Sequence, residues 1–275
     1  MLASLRELAL AARDAGTGLG AFNVIHLEHA TAFVRAAERA GSPVVLQISE
    51  NAVKYHGELE PICVAALAVA RAATVPVVVH LDHAEDTGLI RRAVELGIGS
   101  VMYDGSRLPD AENRETTAAM VALCHAAGVD VEAELGEVGG KNGVHDPSAR
   151  TSPAQAAAFV ADTGVDLLAV AVGSSHAMTT RDAHLDEELI RAIRAVVPVP
   201  LVLHGSSGVS DAGMRAAITA GITKINVSTH LNQVFTGAVR EALAADPALV
   251  DSRKWLKPAR SAVADEAYRL LNLYR

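Results

Sequence analysis

Three histidines in this chain each follow a run of apolar residues. The segments VVVHLDH, LLAVAVGSSH and LVLH end at His83, His176 and His204. If each run is a buried parallel strand, all three histidines lie at carboxyl ends of strands, where barrel and open-sheet enzymes carry their chemistry. Catalytic zinc sites use neutral imidazoles as ligands and leave one coordination position of the zinc open. The pattern therefore predicts a metal site.

The elements that must position these histidines form a repeated unit, in which a short β-branched run precedes an Ala-rich amphipathic helix. Units of roughly 30 residues favour a (β/α)8 barrel over a doubly wound sheet. The predicted strands cover 21–24 (the weakest), 44–48, 77–81, 100–103, 129–133, 165–172, 201–203 and 224–227. The predicted helices cover 28–40, 61–73, 87–96, 110–127, 153–163, 186–196 and 211–220. An extra N-terminal helix (2–15) and C-terminal helices within 232–268 complete one predicted domain, 1–275.

The length of one unit indicates whether the three histidines can meet. His176 and His204 are about one unit apart, which places them on strands six and seven, and His83 falls on strand three. All three can then face one mouth of the barrel. For any single one of these histidines, the alternative to metal binding is a structural role, in which a loop carbonyl hydrogen bonds to the imidazole at the strand end. The other histidines are predicted to be surface or packing residues: His26, His29, His56, His80, His125, His145, His184 and His230.

Composition and charge narrow the possible partners. The 275 residues are 50% hydrophobic, and the formal net charge of -8 argues against nucleic acid or an anionic membrane as the main partner. The apolar stretch 63–81 is interrupted by Arg71, Pro76 and His80, so it predicts a helix and a buried strand rather than a membrane span. Two cysteines in helix-like segments and no recognisable secretory signal predict a cytoplasmic protein.

Two Gly/Ser-containing segments follow the seventh and eighth predicted strands. They are HGSSG, which begins at His204, and NVST, which begins at Asn226. Barrels often hold phosphate on backbone N–H groups in these two loops. Ordinary turns use the same residues, but the position after strands seven and eight favours phosphate binding.

Carboxylates gather near the predicted strand ends. Asp82 adjoins His83, and Asp104 follows the fourth strand. Glu132 and Glu134 alternate along the fifth strand and so share one face. A carboxylate inside a barrel must pair with a cation or a metal.

Several ordered motifs resemble the class II (zinc-dependent) fructose- or tagatose-bisphosphate aldolases. The matching segments are AFN (21–23), LDH (81–83), VMYDGS (101–106), VEAELG (131–136), AVAVGSSH (169–176), LHGSSG (203–208) and KINV (224–227). The resemblance implies a lyase of carbohydrate metabolism on a TIM barrel. Its reaction would be reversible cleavage of a ketose 1,6-bisphosphate to dihydroxyacetone phosphate and glyceraldehyde 3-phosphate, as in glycolysis.

The resemblance also implies residue roles. His83, His176 and His204 would hold Zn²⁺, and Asp104 and Glu134 would border an alternative metal position. Another divalent metal in place of zinc, and an additional monovalent cation, stay open as alternatives. The acid that protonates the aldehyde oxygen would be Asp82, and its conjugate base would deprotonate the hydroxyl in cleavage. The implied substrate contacts are Asn23, Ser49, Gly173, Gly205, Ser207, Asn226, Ser228, Thr229 and Arg253.

Two of these contacts are more specific. Asn226 would contact the dihydroxyacetone phosphate portion of the phosphorylated sugar. Arg253 would reach the second phosphate across the interface of a homodimer or homotetramer.

The chain departs from the family in the loop after the fifth strand. Lys141 and Asn142 follow paired glycines where the family carries acidic residues, one of which moves a proton at the dihydroxyacetone phosphate carbon. Either Asp146 or another acid of the loop replaces that acid, or the proton step differs. The polar, Gly-rich segment 139–151 is typical of a mobile lid. Ala177 also replaces a family glycine, and Arg181 is a predicted replacement in the phosphate pocket.

Three alternatives stay open beside the bisphosphate aldolase. The chain could cleave a related ketose 1-phosphate, act as a metal-dependent hydrolase on the same barrel, or be a catalytically weakened sugar-phosphate-binding relative. Lys224 is the lysine that a Schiff-base aldolase could use, because it lies in the eighth strand. A position on the outer or lower side of that strand is favoured for it.

Overall fold

A computed structural model describes residues 1–135, 150–175 and 178–275. Within these ranges, eight parallel strands close a barrel in sequence order, β1 to β8. The strands are β1 Leu19–Asn23, β2 Val44–Ser49, β3 Val77–Ala84, β4 Ser100–Tyr103, β5 Asp130–Glu134, β6 Leu167–Ala169, β7 Leu201–Leu203 and β8 Ile222–Val227. The predicted (β/α)8 barrel is confirmed, including its weakest strand.

Helices follow the strands, and further helices lie before β1 and after β8. They are α1 Leu5–Ala15, α2 Leu27–Ala40, α3 Glu50–His56, α4 Glu60–Ala72, α5 Thr87–Leu96, α6 Asp110–Ala126, α7 Pro153–Thr163, α8 Glu187–Val196, α9 Asp211–Ala220, α10 Thr229–Ala245 and α11 Ser252–Leu273. The extra N-terminal helix and the C-terminal helices are confirmed. Helix α3 was not predicted from the sequence.

Side-chain caps define where several helices begin. Asp86 accepts a hydrogen bond from the Gly88 N–H at the start of α5, and Ser210 accepts one from the Gly213 N–H at the start of α9. Such caps satisfy backbone donors that the first turn leaves unpaired. They fix the short turns between strand ends and helices, and these turns surround the mouth of the barrel.

The barrel interior changes character along its axis. Its lower part is apolar and includes Leu19, Val45, Val78 and Val202, which pack with Leu5 of α1 as the floor. Alternation along the strands brings polar side chains to the inner face further toward the carboxyl ends. The interior polar residues are Gln47, His80, Asp82, Glu132, Glu134, Lys224 and Asn226.

The apolar stretch 63–81 comprises most of α4 and the start of β3, as predicted. Cys63 and Cys124 are buried free thiols. Among the described residues, none of the helices has the length and apolar character needed to span a membrane.

Candidate active site

A cavity of about 500 Å³ opens at the carboxyl ends of the barrel strands. Because parallel strands present their carboxyl ends at one mouth, residues distant in sequence meet there. The predicted site residues that line the cavity are Asn23, Ser49, Asp82, His83, Asp104, Gly205, Ser207, Asn226, Ser228 and Thr229.

His83 lies at an irregularity near the end of β3, where the register with β4 shifts between Leu81 and Ala84. Its φ of 50° is in the left-handed region, which is uncommon for a residue other than glycine and costs free energy. Its Nδ1 lies 2.7 Å from Oδ2 of Asp104. The bulge therefore turns the imidazole toward a carboxylate at the mouth.

His83 and Asp104 shift each other's pKa. Burial favours the neutral imidazole, but Asp82 and Asp104 outweigh it and raise the pKa of His83. Burial also opposes the charge on Asp104, yet its hydrogen bonds with His83 and Ser106 hold the pKa of this carboxyl well below its usual range. Asp104 is thus a charged carboxylate in the site.

His204 follows β7 and lies between two glutamates of β5. Its Nε2 is 3.1 Å from Oε1 of Glu132, and its Nδ1 is 3.4 Å from Oε2 of Glu134. Burial opposes protonation, but the nearby carboxylates of Glu132 and Glu134 outweigh it and raise the pKa of His204 to about 10. The ring centroids of His83 and His204 are 4.5 Å apart, so the site brings two of the three predicted histidines together.

The side chains at this point fit a divalent metal. Ligand atoms of Asp82, His83 and His204 lie within 4.8 Å of one another, and the same holds for His83, Asp104 and Glu134. Among the residues that the structure describes, Oε2 of Glu134 is buried and accepts no hydrogen bond. Imidazole nitrogen and carboxylate oxygen are ligands that zinc accepts, and a buried carboxylate oxygen requires a compensating cation or donor. His176 is outside the described residues, so its role as the third ligand stays a prediction.

Asp82 is only 3% exposed and lies between two asparagines. Asn226 Nδ2 donates to Asp82 Oδ1 at 3.3 Å, and Asn23 Nδ2 is 3.5 Å from Oδ2. Burial alone would raise the pKa of Asp82, but the positive charges of His83, Lys224 and His204 outweigh it and lower the pKa. Asp82 is therefore a carboxylate that can accept a proton.

The loops after β7 and β8 form a second part of the cavity. Gly205 has φ 67°, and a Cβ there would lie 2.5 Å from the carbonyl oxygen of Ser175, so the turn requires glycine. A single 3-10 turn follows at Ser206–Gly208, and α10 begins at Thr229 with Ser228 at its N-cap. Backbone N–H groups of such a turn and helix start can bind an anion.

Four predicted site residues within the described ranges are not among the residues that line the cavity: Glu134, Gly173, His204 and Arg253. Glu134 is in β5 beside the histidines. Arg253, whose side chain is 87% exposed, pairs with Asp251 outside the cavity.

Arg181 donates to the carbonyl oxygen of Val209 and pairs with Asp211. It does not line the large cavity, but it lines a small neighbouring pocket with Ser206 and Ser207, so its place in the phosphate pocket stays a prediction. Lys141, Asn142, Asp146 and Ala177 lie outside the described residues.

Several exposed residues that line the cavity were not predicted from the sequence. Lys54 of α3 pairs with Glu50 at 2.7 Å, and Arg107 pairs with Glu85 at 3.0 Å. Asn51 lines the same region. Their signal in the sequence was position alone, because they follow the ends of β2, β3 and β4.

Two interior side chains correct or refine expectations. Of the outer or lower position favoured for Lys224, the outer one is wrong: the side chain is fully buried inside the barrel, with Nζ 2.8 Å from Oε2 of Glu132. His80, expected to be a surface or packing residue, is fully buried and hydrogen bonds with Ser100 through Nδ1 at 2.8 Å. Both side chains lie beneath the residues of the mouth.

Comparisons with known proteins agree with this geometry. A family model described as fructose-bisphosphate aldolase class-II matches residues 3–275. The probable fructose-bisphosphate aldolase of Bacillus subtilis (strain 168) is 40% identical over 269 residues, which are 96% of this chain and 94% of that protein. Fructose-bisphosphate aldolase of Geobacillus stearothermophilus is 39% identical over 266 residues, 95% of this chain and 93% of the relative.

A solved structure gives the same result for the fold. The YdjI aldolase from Escherichia coli K12 superposes with a TM-score of 0.89 at 35% identity, covering 100% of this chain and 97% of that chain. From its whole-length family match and its curated relatives, the chain belongs to the metal-dependent class II fructose-bisphosphate aldolase family.

Proposed function

We propose that this protein catalyses the reversible, metal-dependent aldol cleavage of a ketose 1,6-bisphosphate, with fructose 1,6-bisphosphate as the first candidate. The products are dihydroxyacetone phosphate and glyceraldehyde 3-phosphate. The observation that carries the proposal is the buried carboxylate of Asp82, which lines the cavity with His83 and has a ligand atom of His204 within 4.8 Å. Family membership supports the same reaction.

Asp82 has the properties of the base for cleavage. Its lowered pKa keeps it ionised, so it can take the proton from the substrate hydroxyl as the carbon–carbon bond breaks. In the reverse direction it returns that proton to the aldehyde oxygen. Asn226 and Asn23 lie within reach of its two oxygens and orient it.

The metal is proposed to be Zn²⁺, held by His83, His204 and the predicted ligand His176. When bound, a divalent metal supplies a Lewis acid that stabilises the negative charge left on the ketose half. Asp104 and Glu134 are proposed to border a second position for the ion, because their oxygens form a separate group with His83.

The cavity also suits a substrate that is charged at both ends. Gly205, Ser207 and the start of α10 are proposed to bind the phosphate of the dihydroxyacetone half. Lys54 and Arg107 are proposed to contact the second phosphate, which would then compete with their present partners Glu50 and Glu85. Arg253 lies outside this cavity, so its predicted phosphate contact requires a second copy of the chain, in a homodimer or homotetramer.

Two further expectations remain proposals. Asp146 is proposed to move the proton at the dihydroxyacetone phosphate carbon in place of the acid that Lys141 and Asn142 displace. The chain is proposed to be one domain in the cytoplasm, on the basis of its single closed barrel and its buried free thiols.

A substrate panel tests the proposed reaction. Metal-loaded protein is given fructose 1,6-bisphosphate, tagatose 1,6-bisphosphate and ketose 1-phosphates, and release of dihydroxyacetone phosphate is followed with a coupling enzyme. We expect cleavage of a bisphosphate to be the fastest. Release of inorganic phosphate without cleavage would instead indicate a hydrolase, and binding without turnover would indicate a sugar-phosphate-binding relative.

A further inference from the structure

A buried ion pair lies beneath the mouth of the barrel. The side chains of Lys224 in β8 and Glu132 in β5 are both fully buried, with Nζ and Oε2 2.8 Å apart. Desolvating two charges offsets much or all of their mutual attraction, so such a pair is weak evidence of stabilisation. Neither residue is among the described residues that line the cavity.

Glu132 connects the lysine to a predicted metal ligand. While Oε2 faces Lys224, Oε1 lies 3.1 Å from Nε2 of His204. A carboxylate that accepts the N–H of one ring nitrogen fixes the tautomer and the orientation of the imidazole, and leaves the other nitrogen for the metal. In His204 that other nitrogen is Nδ1, which faces Glu134.

Lys224 has a second contact, with a predicted substrate residue. Its Nζ donates to Oδ1 of Asn226 at 2.8 Å. An amide whose oxygen is held in this way presents its NH₂ group to the other side, where Asn226 Nδ2 donates to Asp82. The opposite amide orientation would place an oxygen against the Asp82 carboxylate, and the lysine disfavours it.

One histidine adjoins the buried ion pair. His80 lies nearby, 3.8 Å from Glu132, but burial and Lys224 itself lower the pKa of His80 to about 3, so it is neutral. With Nζ engaged by Glu132 and Asn226, the amine is not available as a Schiff-base nucleophile.

We propose that Lys224 is a positioning residue that supports both the predicted metal ligand His204 and the carboxylate of Asp82. Through Glu132 it orients His204 toward the metal, and through Asn226 it orients the amide that donates to Asp82. The significance of this role rests on the proposed metal-dependent reaction. The contact from Lys224 through Glu132 to His204 can, however, be tested by metal binding alone.

The test uses variants that avoid leaving one charge buried alone. Lys224→Met combined with Glu132→Gln removes both charges with little change in volume. Zinc affinity is measured by competition with a chromophoric chelator, and we expect it to fall 10- to 100-fold. At saturating zinc, kcat should still fall about tenfold or more, because Asn226 is no longer held toward Asp82.

Two further variants keep the proposal falsifiable. Glu132→Gln alone keeps only one acceptor oxygen, which the donor Nζ of Lys224 can hold, so an NH₂ group then faces Nε2 of His204. Zinc affinity should fall in this variant too, which tests the contact with His204 even if the double variant fails to fold. Ser100→Ala is the matched control, because it removes a buried hydrogen bond of His80 but contacts neither His204 nor Asn226. Its zinc affinity and kcat should equal those of the wild type.

The outcomes separate this inference from the proposed function. A folded double variant with wild-type zinc affinity and wild-type kcat would overturn the positioning role. If the wild type cleaves no ketose phosphate but the variants still bind zinc more weakly, the proposed reaction fails while the contact through Glu132 stands.

Discussion

Asp82 is a buried carboxylate that its neighbours keep charged. Burial by itself disfavours the ionised form, and the nearby positive charges of His83, Lys224 and His204 reverse that preference. The sequence predicted the acid and its neighbouring histidine, because both lie in one LDH segment at a strand end. Lys224 could not be assigned as a neighbour from the sequence, since its contacts depend on barrel closure.

Replacing Asp82 by asparagine should leave zinc binding intact and lower kcat by roughly 10²- to 10⁴-fold, because the isosteric amide cannot accept the hydroxyl proton. Steady-state kinetics and metal analysis on the same sample measure both effects. Asp110→Asn, on the exposed start of α6, is the control and should behave as the wild type. Unchanged turnover in Asp82→Asn would refute the base assignment.

Replacing His83 by alanine should abolish both stoichiometric zinc and activity, since an imidazole near the other ligand atoms is lost. Equilibrium dialysis followed by elemental analysis gives the bound zinc. The control is His125→Ala, a partly exposed histidine that pairs with Asp166 away from the cavity. Full zinc retention in His83→Ala would remove His83 from the ligand set.

Helix α11 is tied to the loops after β7 and β8 by a charged cluster. Glu266 of α11 contacts Nε2 of His230 at 2.6 Å and pairs with Arg269, which also contacts Asp211 of α9. The backbone N–H of His230 donates to Oγ of Ser207. The terminal helix thereby supports the loop that is proposed to bind phosphate.

This cluster predicts a pH-dependent contribution to stability. Burial alone would raise the pKa of Glu266, but hydrogen bonds with His230 and Arg269 outweigh it and lower the pKa to about 2. A lowered carboxylate pKa stabilises the fold above the unfolded value of about 4.5, and this contribution is lost as pH falls toward 2. Glu266→Gln should therefore cost about 1 kcal/mol at pH 7, after allowance for solvent screening.

Urea unfolding of the wild type and Glu266→Gln, from pH 7 downward, measures that difference. The two free energies of unfolding should converge below about pH 4.5. Glu241→Gln, whose side chain lies on exposed α10, controls for loss of a surface charge. A constant difference across this pH range would contradict the explanation.

Most elements could be predicted because the β-branched runs are short, apolar and regularly spaced. Helix α3 was missed because it has only seven residues and begins at a cap, Ser49, that also ends β2. The outer position considered for Lys224 was wrong although alternation contained the signal: Asn226 faces the mouth, and residues two apart share a face. Lysine is almost never fully buried without a partner, and the partner Glu132 is on a distant strand.

The whole molecule is organised around one closed barrel, with α1 on the floor and α10 and α11 beside it. The order of the motifs made the fold and family predictable from sequence. The third histidine and the loop acid lie outside the described residues, so the sequence remains the source of those two assignments.

If the chain is one domain, it should unfold in a single cooperative transition. The single tryptophan, Trp255, is in α11 and reports on the terminal helix by fluorescence, while far-UV circular dichroism reports mainly on the barrel. We expect the two thermal transitions to coincide, and zinc to shift both upward because it binds the folded state. Separate transitions for the two signals would indicate that α11 unfolds independently of the barrel.

The central claim is that bound metal and Asp82 together carry aldol cleavage. The most direct test is to strip the protein with a chelator, titrate it with zinc and follow the release of dihydroxyacetone phosphate from fructose 1,6-bisphosphate. We expect no release from stripped protein and a rate that rises in proportion to bound zinc, up to about one ion per chain. Full cleavage by stripped protein, or none by zinc-loaded protein, would contradict it.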